Sequence, residues 1–171
     1  MHNTERMNAR FDTATVKRLY QDGKAGTAGW TVQEGVNTWM QICPASQTGA
    51  ILVMPLPGLQ VGDRLVGFDL IGQIDCSGGG DVTLDAALHR FTAVNTGCTS
   101  AAVGGWSMTQ IAITAAVDTK LDATNAQKIP DAVNQVVVAD GETYFMLLTA
   151  TTAASSDIEI LAVRLHIQPA R

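Results

Sequence analysis

Val82-Thr83-Leu84-Asp85-Ala86-Ala87-Leu88-His89-Arg90-Phe91-Thr92-Ala93-Val94 is the stretch on which the fold turns. Val82, Leu84, Ala86 and Leu88 recur every second residue, which lines one face of a strand and leaves Thr83, Asp85 and Ala87 on the other. The pattern changes face near His89–Phe91, as it does at a β-bulge. No helical period of 3.6 fits these positions. Working outward, similar runs are separated by turn chemistry. Ala50–Leu56 is an apolar strand closed by Pro55-Leu56-Pro57-Gly58, and Asp63–Cys76 alternates loosely up to Ser77-Gly78-Gly79-Gly80-Asp81. Asn95-Thr96-Gly97 turns the chain, Ser107–Val117 reads as a strand, and Asp118–Ala132 reads as a loop with room for one helical turn. Val133–Ala139 and Tyr144–Thr152 flank Asp140-Gly141, a hairpin signal, and Ile158–Ile167 is the last strand. Seven or eight short strands without βαβ alternation predict an all-β fold: an antiparallel β-sandwich, with the jelly roll as one form of it.

Composition agrees. Ala, Thr, Gly and Val fill 73 of 171 positions, while 16% of residues are charged and 5% aromatic. A helical bundle needs Leu, Glu and Lys in a helical period, and a disordered chain needs charge. Both are excluded. At this length a single domain buries roughly 70% of its unfolded surface.

Two segments are expected: an N-terminal arm and transition over residues 1–48, and a β-sandwich domain over 49–171. Thr4–Tyr20 reads either as a short helix or as an extended arm. Charge divides at a similar place. Residues 1–24 hold five basic residues against three acidic, whereas the remainder holds six against thirteen. A basic arm could pair with the acidic body of a neighbouring copy, or simply be solvated.

Function classes are narrowed mostly by exclusion. The net charge is −5 and no Lys/Arg stripe exists, so nucleic acid is not an expected partner. The longest apolar run, Ala50–Leu56, falls far short of the ~20 residues of a membrane span, and the first residues lack the apolar core of a secretory leader. Cys43, Cys76 and Cys98 have neither disulfide-framework nor zinc spacing, and His2, His89 and His166 join no metal motif. No cofactor or metal is expected. His89 is the one histidine well inside the strand region, but no G-x-S-x-G elbow accompanies it. Ser77–Asp81 lacks the lysine and helix of a phosphate cradle. Asp63, Asp69, Asp75, Asp81 and Asp85 read as a solvated sheet face, with a loop cation at Asp81 as the alternative. The chain is therefore expected not to be an enzyme.

Three segments carry a family resemblance: the apolar strand with its PLPGLQVGDRLVGFDLIGQI continuation, Asp140-Gly141-Glu142-Thr143-Tyr144-Phe145, and TATTAASSDIEI at Thr149–Ile160. Residues 50–167 resemble small β-sandwich virion structural proteins of tailed bacteriophages. The resemblance implies a virion component assembled in the host cytoplasm, most simply a capsid decoration (cement) protein that stabilises the shell. Its partners would be the major capsid protein or other virion subunits, and copies of itself, with a trimer favoured. A tail, head-fibre or adaptor subunit is the alternative within that class. Residues 1–48 would latch on through Arg6, Arg10, Lys17 and Arg18, with Phe11, Tyr20, Trp30 and Trp39 as apolar anchors. Trp106, after Val103-Gly104-Gly105, would be a further interface anchor. It is also the aromatic on which a rival reading rests, a glycan-binding module that stacks a sugar on its ring.

Overall fold

The computed structural model describes residues 16–26, 29–34, 39–76, 78–94, 97–122, 126–128 and 135–170. Among these residues, fourteen strands form two antiparallel sheets: β1 Val16–Tyr20, β2 Lys24–Ala25, β3 Thr31–Glu34, β4 Trp39–Cys43, β5 Ala50–Pro55, β6 Arg64–Asp75, β7 Val82–Val94, β8 Gly97–Ser107, β9 Ile111–Ile113, β10 Thr119–Leu121, β11 Ala126–Lys128, β12 Val136–Val137, β13 Glu142–Thr151 and β14 Asp157–Gln168. The chain is an all-β sandwich, and among the described residues it contains no helix.

One sheet runs β3-β4-β14-β6-β10, with β11 and β12 also along the free side of β6 and β1 beside β14. The other runs β2-β5-β13-β7-β8, with β9 beside β7. Strands β4, β5, β6 and β7 fall in alternate sheets, and so do β13 and β14. The chain thus wraps around its core as a jelly roll does. The Asp140-Gly141 turn is one of these crossings, because β12 lies in the first sheet and β13 in the second. It bends the chain, with Gly141 at φ 75°, but joins no hairpin. The Gly78–Asp81 loop likewise crosses between sheets.

Period two explains the core. Leu84, Ala86 and Leu88 of β7 and Met146, Leu148 and Ala150 of β13 face Phe68, Leu70, Ile74 and Val163, Leu165, Ile167 of β6 and β14, all buried. Near the middle of β6, a Cβ on Gly72 would sit 2.0 Å from the Glu159 carbonyl oxygen. Only glycine lets β14 approach so closely there. One residue further along, Leu161 bulges out of β14.

The segment expected to be an arm is partly sandwich. β1 pairs with β14 from Val16↔Ile167 to Tyr20↔Val163, so residues 16–20 are a strand where a helical piece was one expectation. β2 pairs with β5, and β3 and β4 extend the first sheet. Short strands of two to five residues carry too few apolar positions for alternation to show. They are stable here because a long strand is already there to pair with. β8 was likewise not expected as one strand: its run of Gly, Ser and Ala has no apolar alternation, yet it pairs with β7 from Ala102 back to Gly97.

Candidate functional site

The side chains that alternate outward from the second sheet assemble the candidate site. In β13, Thr143, Phe145 and Leu147 face away from the core. Register places Phe145 between Pro55 and His89, and Thr143 beside Phe91. The His89 and Phe145 rings stack with centroids 5.3 Å apart. Phe91 is 37% exposed, large for an aromatic side chain. Between this surface and the Pro55–Leu59 loop lies a groove of about 340 Å³, lined also by Val53, Glu142 and Tyr144.

Glu142 organises the polar end. One carboxylate oxygen meets Arg90 Nη1 at 3.0 Å. The other accepts the Tyr144 hydroxyl at 2.5 Å and the Ala139 amide at 3.3 Å. Glu142 is 12% exposed and Arg90 48%, so the carboxylate is held inside and the guanidinium reaches solvent. Burial, then the neighbouring Glu142, push the Tyr144 phenol well above its ordinary range, which keeps it a proton donor. Burial lowers His89, so its ring is neutral at neutral pH.

A second polar cluster lies on the first sheet. Asp69, fully buried, accepts Arg164 Nε at 2.7 Å and contacts Arg164 Nη2 at 2.6 Å and His166 Nε2 at 3.0 Å, all at one oxygen. Burial alone would raise its carboxyl, but hydrogen bonds and charge from His166 and Arg164 outweigh it and hold Asp69 below its usual range. The aspartates expected to form one solvated face are divided among structural tasks. Asp63 is buried and accepts the Gln60 and Ala170 amides. Asp85 accepts Gln110 Nε2 at 2.7 Å. Asp75 stands opposite Asp157, whose carboxyl is raised by burial and by that like charge. Asp81 is exposed in the crossing loop. Among the described residues, no group of three His, Cys, Asp or Glu could hold a metal ion. Cys43 and Cys76 are buried free thiols, and burial pushes Cys43 up to about 11.

The expected contact residues fare unevenly. Arg6, Arg10 and Phe11 lie outside the described residues. Lys17 sits in β1 opposite His166, and Trp39 sits in β4 opposite Glu34. Arg18 Nη1 donates to the Gly58 carbonyl at 2.5 Å, within its own chain. Three aromatics need correction, because they are core residues. Tyr20 faces inward from β1, and Trp30 is buried with its indole N–H donating to the Ala50 carbonyl at 3.1 Å. Trp106 is 0% exposed and stacks on Phe68 of the opposite sheet, centroids 6.4 Å apart. Its burial has a local cause. Between the pairs His89↔Ala102 and Ala87↔Ser107, β7 advances two residues while β8 advances five. Val103–Trp106 therefore arches out, with Gly105 at φ 74°, and turns the indole into the core. A ring so enclosed has no face to offer a sugar or a neighbouring subunit. Phe91 and Glu142 were missed as site residues. The signal available was plain alternation: Phe91 lies on the outward face of β7 with Thr83, Asp85, Ala87 and His89, and the pairing with β13 keeps that face without a shift through Glu142↔Thr92.

No family model and no curated protein sequence matches the chain. Among solved structures it is similar in fold to the CBM22-1 xylan-binding domain of Paenibacillus barcinonensis Xyn10C, at 10% identity and TM-score 0.49, covering 91% of this chain and 95% of that one. It is also similar to the CBM22-1–GH10 modules of Clostridium thermocellum xylanase 10B, at 9% identity and TM-score 0.43, covering 85% of this chain. A third is the enzymatically active domain of bacteriophage CBA120 tailspike protein 4, at 14% identity and TM-score 0.37, covering 86% of this chain. This chain spans 26% of that xylanase chain and 19% of the tailspike chain.

Proposed function

We propose that the chain is a non-catalytic glycan-binding module whose site is the groove between Phe91 and the Pro55–Leu59 loop. One observation carries this reading: an exposed aromatic ring stands at the mouth of an open groove that has a fixed Arg90–Glu142–Tyr144 network at its polar end. An aromatic face takes the C–H side of a sugar ring, and a few fixed donors and acceptors orient its hydroxyls. Arg90 and Glu142 neutralise each other, which suits an uncharged sugar better than an acidic one. Among the described residues, no nucleophile, base and orienting acid converge in the groove, and His89 stacks on Phe145. The test is affinity electrophoresis through gels containing neutral or acidic polysaccharides. Retardation by a neutral polysaccharide, weakened roughly tenfold by Phe91→Ala, supports the reading, a factor in keeping with the loss of one aromatic contact. Unretarded migration in every gel, or retardation that Phe91→Ala leaves intact, overturns it.

A second reading is a virion structural protein, whether capsid decoration or a tail, head-fibre or adaptor subunit. The resemblance of residues 50–167 to such phage proteins supports it. The two readings are compatible in one molecule, a glycan-binding sandwich carried on a particle. Copy number per particle separates the two virion forms: a shell decoration is present in high copy, an appendage subunit in low.

A further inference from the structure

We infer that the free edge of β8 is a self-association surface, on which β8 of a second copy of this chain pairs antiparallel about a two-fold axis. The edges of the two sheets are treated very differently. Among the described residues, β1, β2, β3, β9, β10, β11 and β12 also lie along outer edges, and none is longer than five residues. All but β9 and β12, of three and two residues, carry a charge: Lys17 and Arg18, Lys24, Glu34, Lys120 and Lys128. Short length and charge are how a sheet edge is kept from pairing with another chain.

β8 has neither protection. It runs 11 residues, pairs with β7 on one side, and has no partner strand on the other among the described residues. It lies within Phe91–Val117, 27 consecutive residues without a single charged residue, histidine or proline. Thr99, Ser100, Ala101 and Ala102 are exposed on both faces of the strand. β8 is thus the outermost strand of its sheet, beyond a β7 that β13 pairs up to Glu142↔Thr92, and past that point Ala93–Val94 and Gly97–Cys98 continue as a two-stranded tip, a form stabilised by a further strand. The arch at Val103–Trp106 blunts the far end of the edge, leaving Gly97–Ala102 as the open segment.

The chemistry favours a second copy over a different partner. An uncharged edge cannot select a charged segment. In a two-fold antiparallel pairing residue i of one copy faces residue j of the other and j faces i, so every cross-strand pair is drawn from this one uncharged segment. Thr, Ser and Ala meet one another across such a pair without repulsion or crowding. Elsewhere the chain, with a net charge of −5, repels its copies, and this edge is where repulsion is absent. The unit so formed is a dimer, in place of the trimer that the virion resemblance implies.

The test is the mass of the full chain in solution by light scattering, for the wild type, Thr99→Lys and Ser100→Lys. The two positions face opposite sides of the strand, Thr99 across from Thr92 and Ser100 across from Phe91. Both are exposed, so unchanged circular dichroism and melting are expected of both. A wild-type dimer whose dissociation constant rises roughly tenfold or more in both variants supports the assignment. A monomeric wild type overturns it, as does a dimer that both variants leave intact.

Discussion

Replacing Trp106 by alanine separates a core residue from a ligand platform. The indole is 0% exposed and rests on Phe68 of the facing sheet. A tryptophan side chain buries about 200 Å² of mostly apolar surface, which at ~25 cal/mol/Å² is a loss of about 5 kcal/mol. The arch that carries it contains Gly104 and Gly105 and can settle partly into the space left. The expected loss is therefore about 3–4 kcal/mol, the lower part of the measured range for such truncations. For a chain of this length that lowers Tm by roughly 6–16 °C. Urea unfolding followed by circular dichroism measures the loss directly, and Trp106→Phe should recover more than half of it by keeping a ring against Phe68. Polysaccharide binding by Trp106→Ala, measured well below its Tm, should match the wild type. A loss of stability under about 1 kcal/mol, together with lost binding, would refute the argument and return the indole to the surface.

Two further predictions concern buried charge. Arg164→Ala leaves the Asp69 carboxylate with His166 as its one remaining partner and should cost about 1–3 kcal/mol near neutral pH, less than a fully buried pair because Arg164 is 27% exposed. Asp69 is depressed in the fold, so its pairing stabilises above the usual carboxylate range, about pH 4, and this contribution disappears as pH falls through the lower folded value. Urea melts across that window should show the wild type and Arg164→Ala converging in acid, and a constant difference would contradict the assignment. Asp157→Asn has the opposite sign. Asp157 is raised by burial and by Asp75 opposite, so its charge costs stability above the raised folded value and nothing below about pH 4. The variant should be more stable than the wild type by about 0.5–1 kcal/mol at neutral pH, with the gain vanishing in acid. A variant less stable at neutral pH would show that the Asp157 carboxylate is stabilised there.

The sequence by itself determined the class of fold, because class depends on local periodicity. Val82, Leu84, Ala86 and Leu88 can bury together only on one face of a strand, and Gly, Pro and Asp-Gly turns limit each strand's length. The change of face expected near His89 does not occur in β7: its pairing with β13 is unbroken from Thr83 to Thr92, and the slip between Ala87 and His89 is extra length in β8. Tertiary structure decided which strands are neighbours and which aromatics are inside. Asp140-Gly141 has the local chemistry of a hairpin turn, yet the strands on either side of it belong to different sheets. Strands β1 to β4 read as an arm because they are too short to declare themselves, and they are held by pairing: β1 and β4 on β14, β2 on β5 and β3 on β4. Trp106 follows two glycines and reads as a loop residue, but the extra length in β8 folds it onto Phe68. Phe91 belongs to a strand that was expected to change face before it, but β7 keeps its alternation and the ring stays on the outward face. Burial depends on pairing register and on what lies across the sandwich. Both are set by residues far away in the chain, and no local pattern records them.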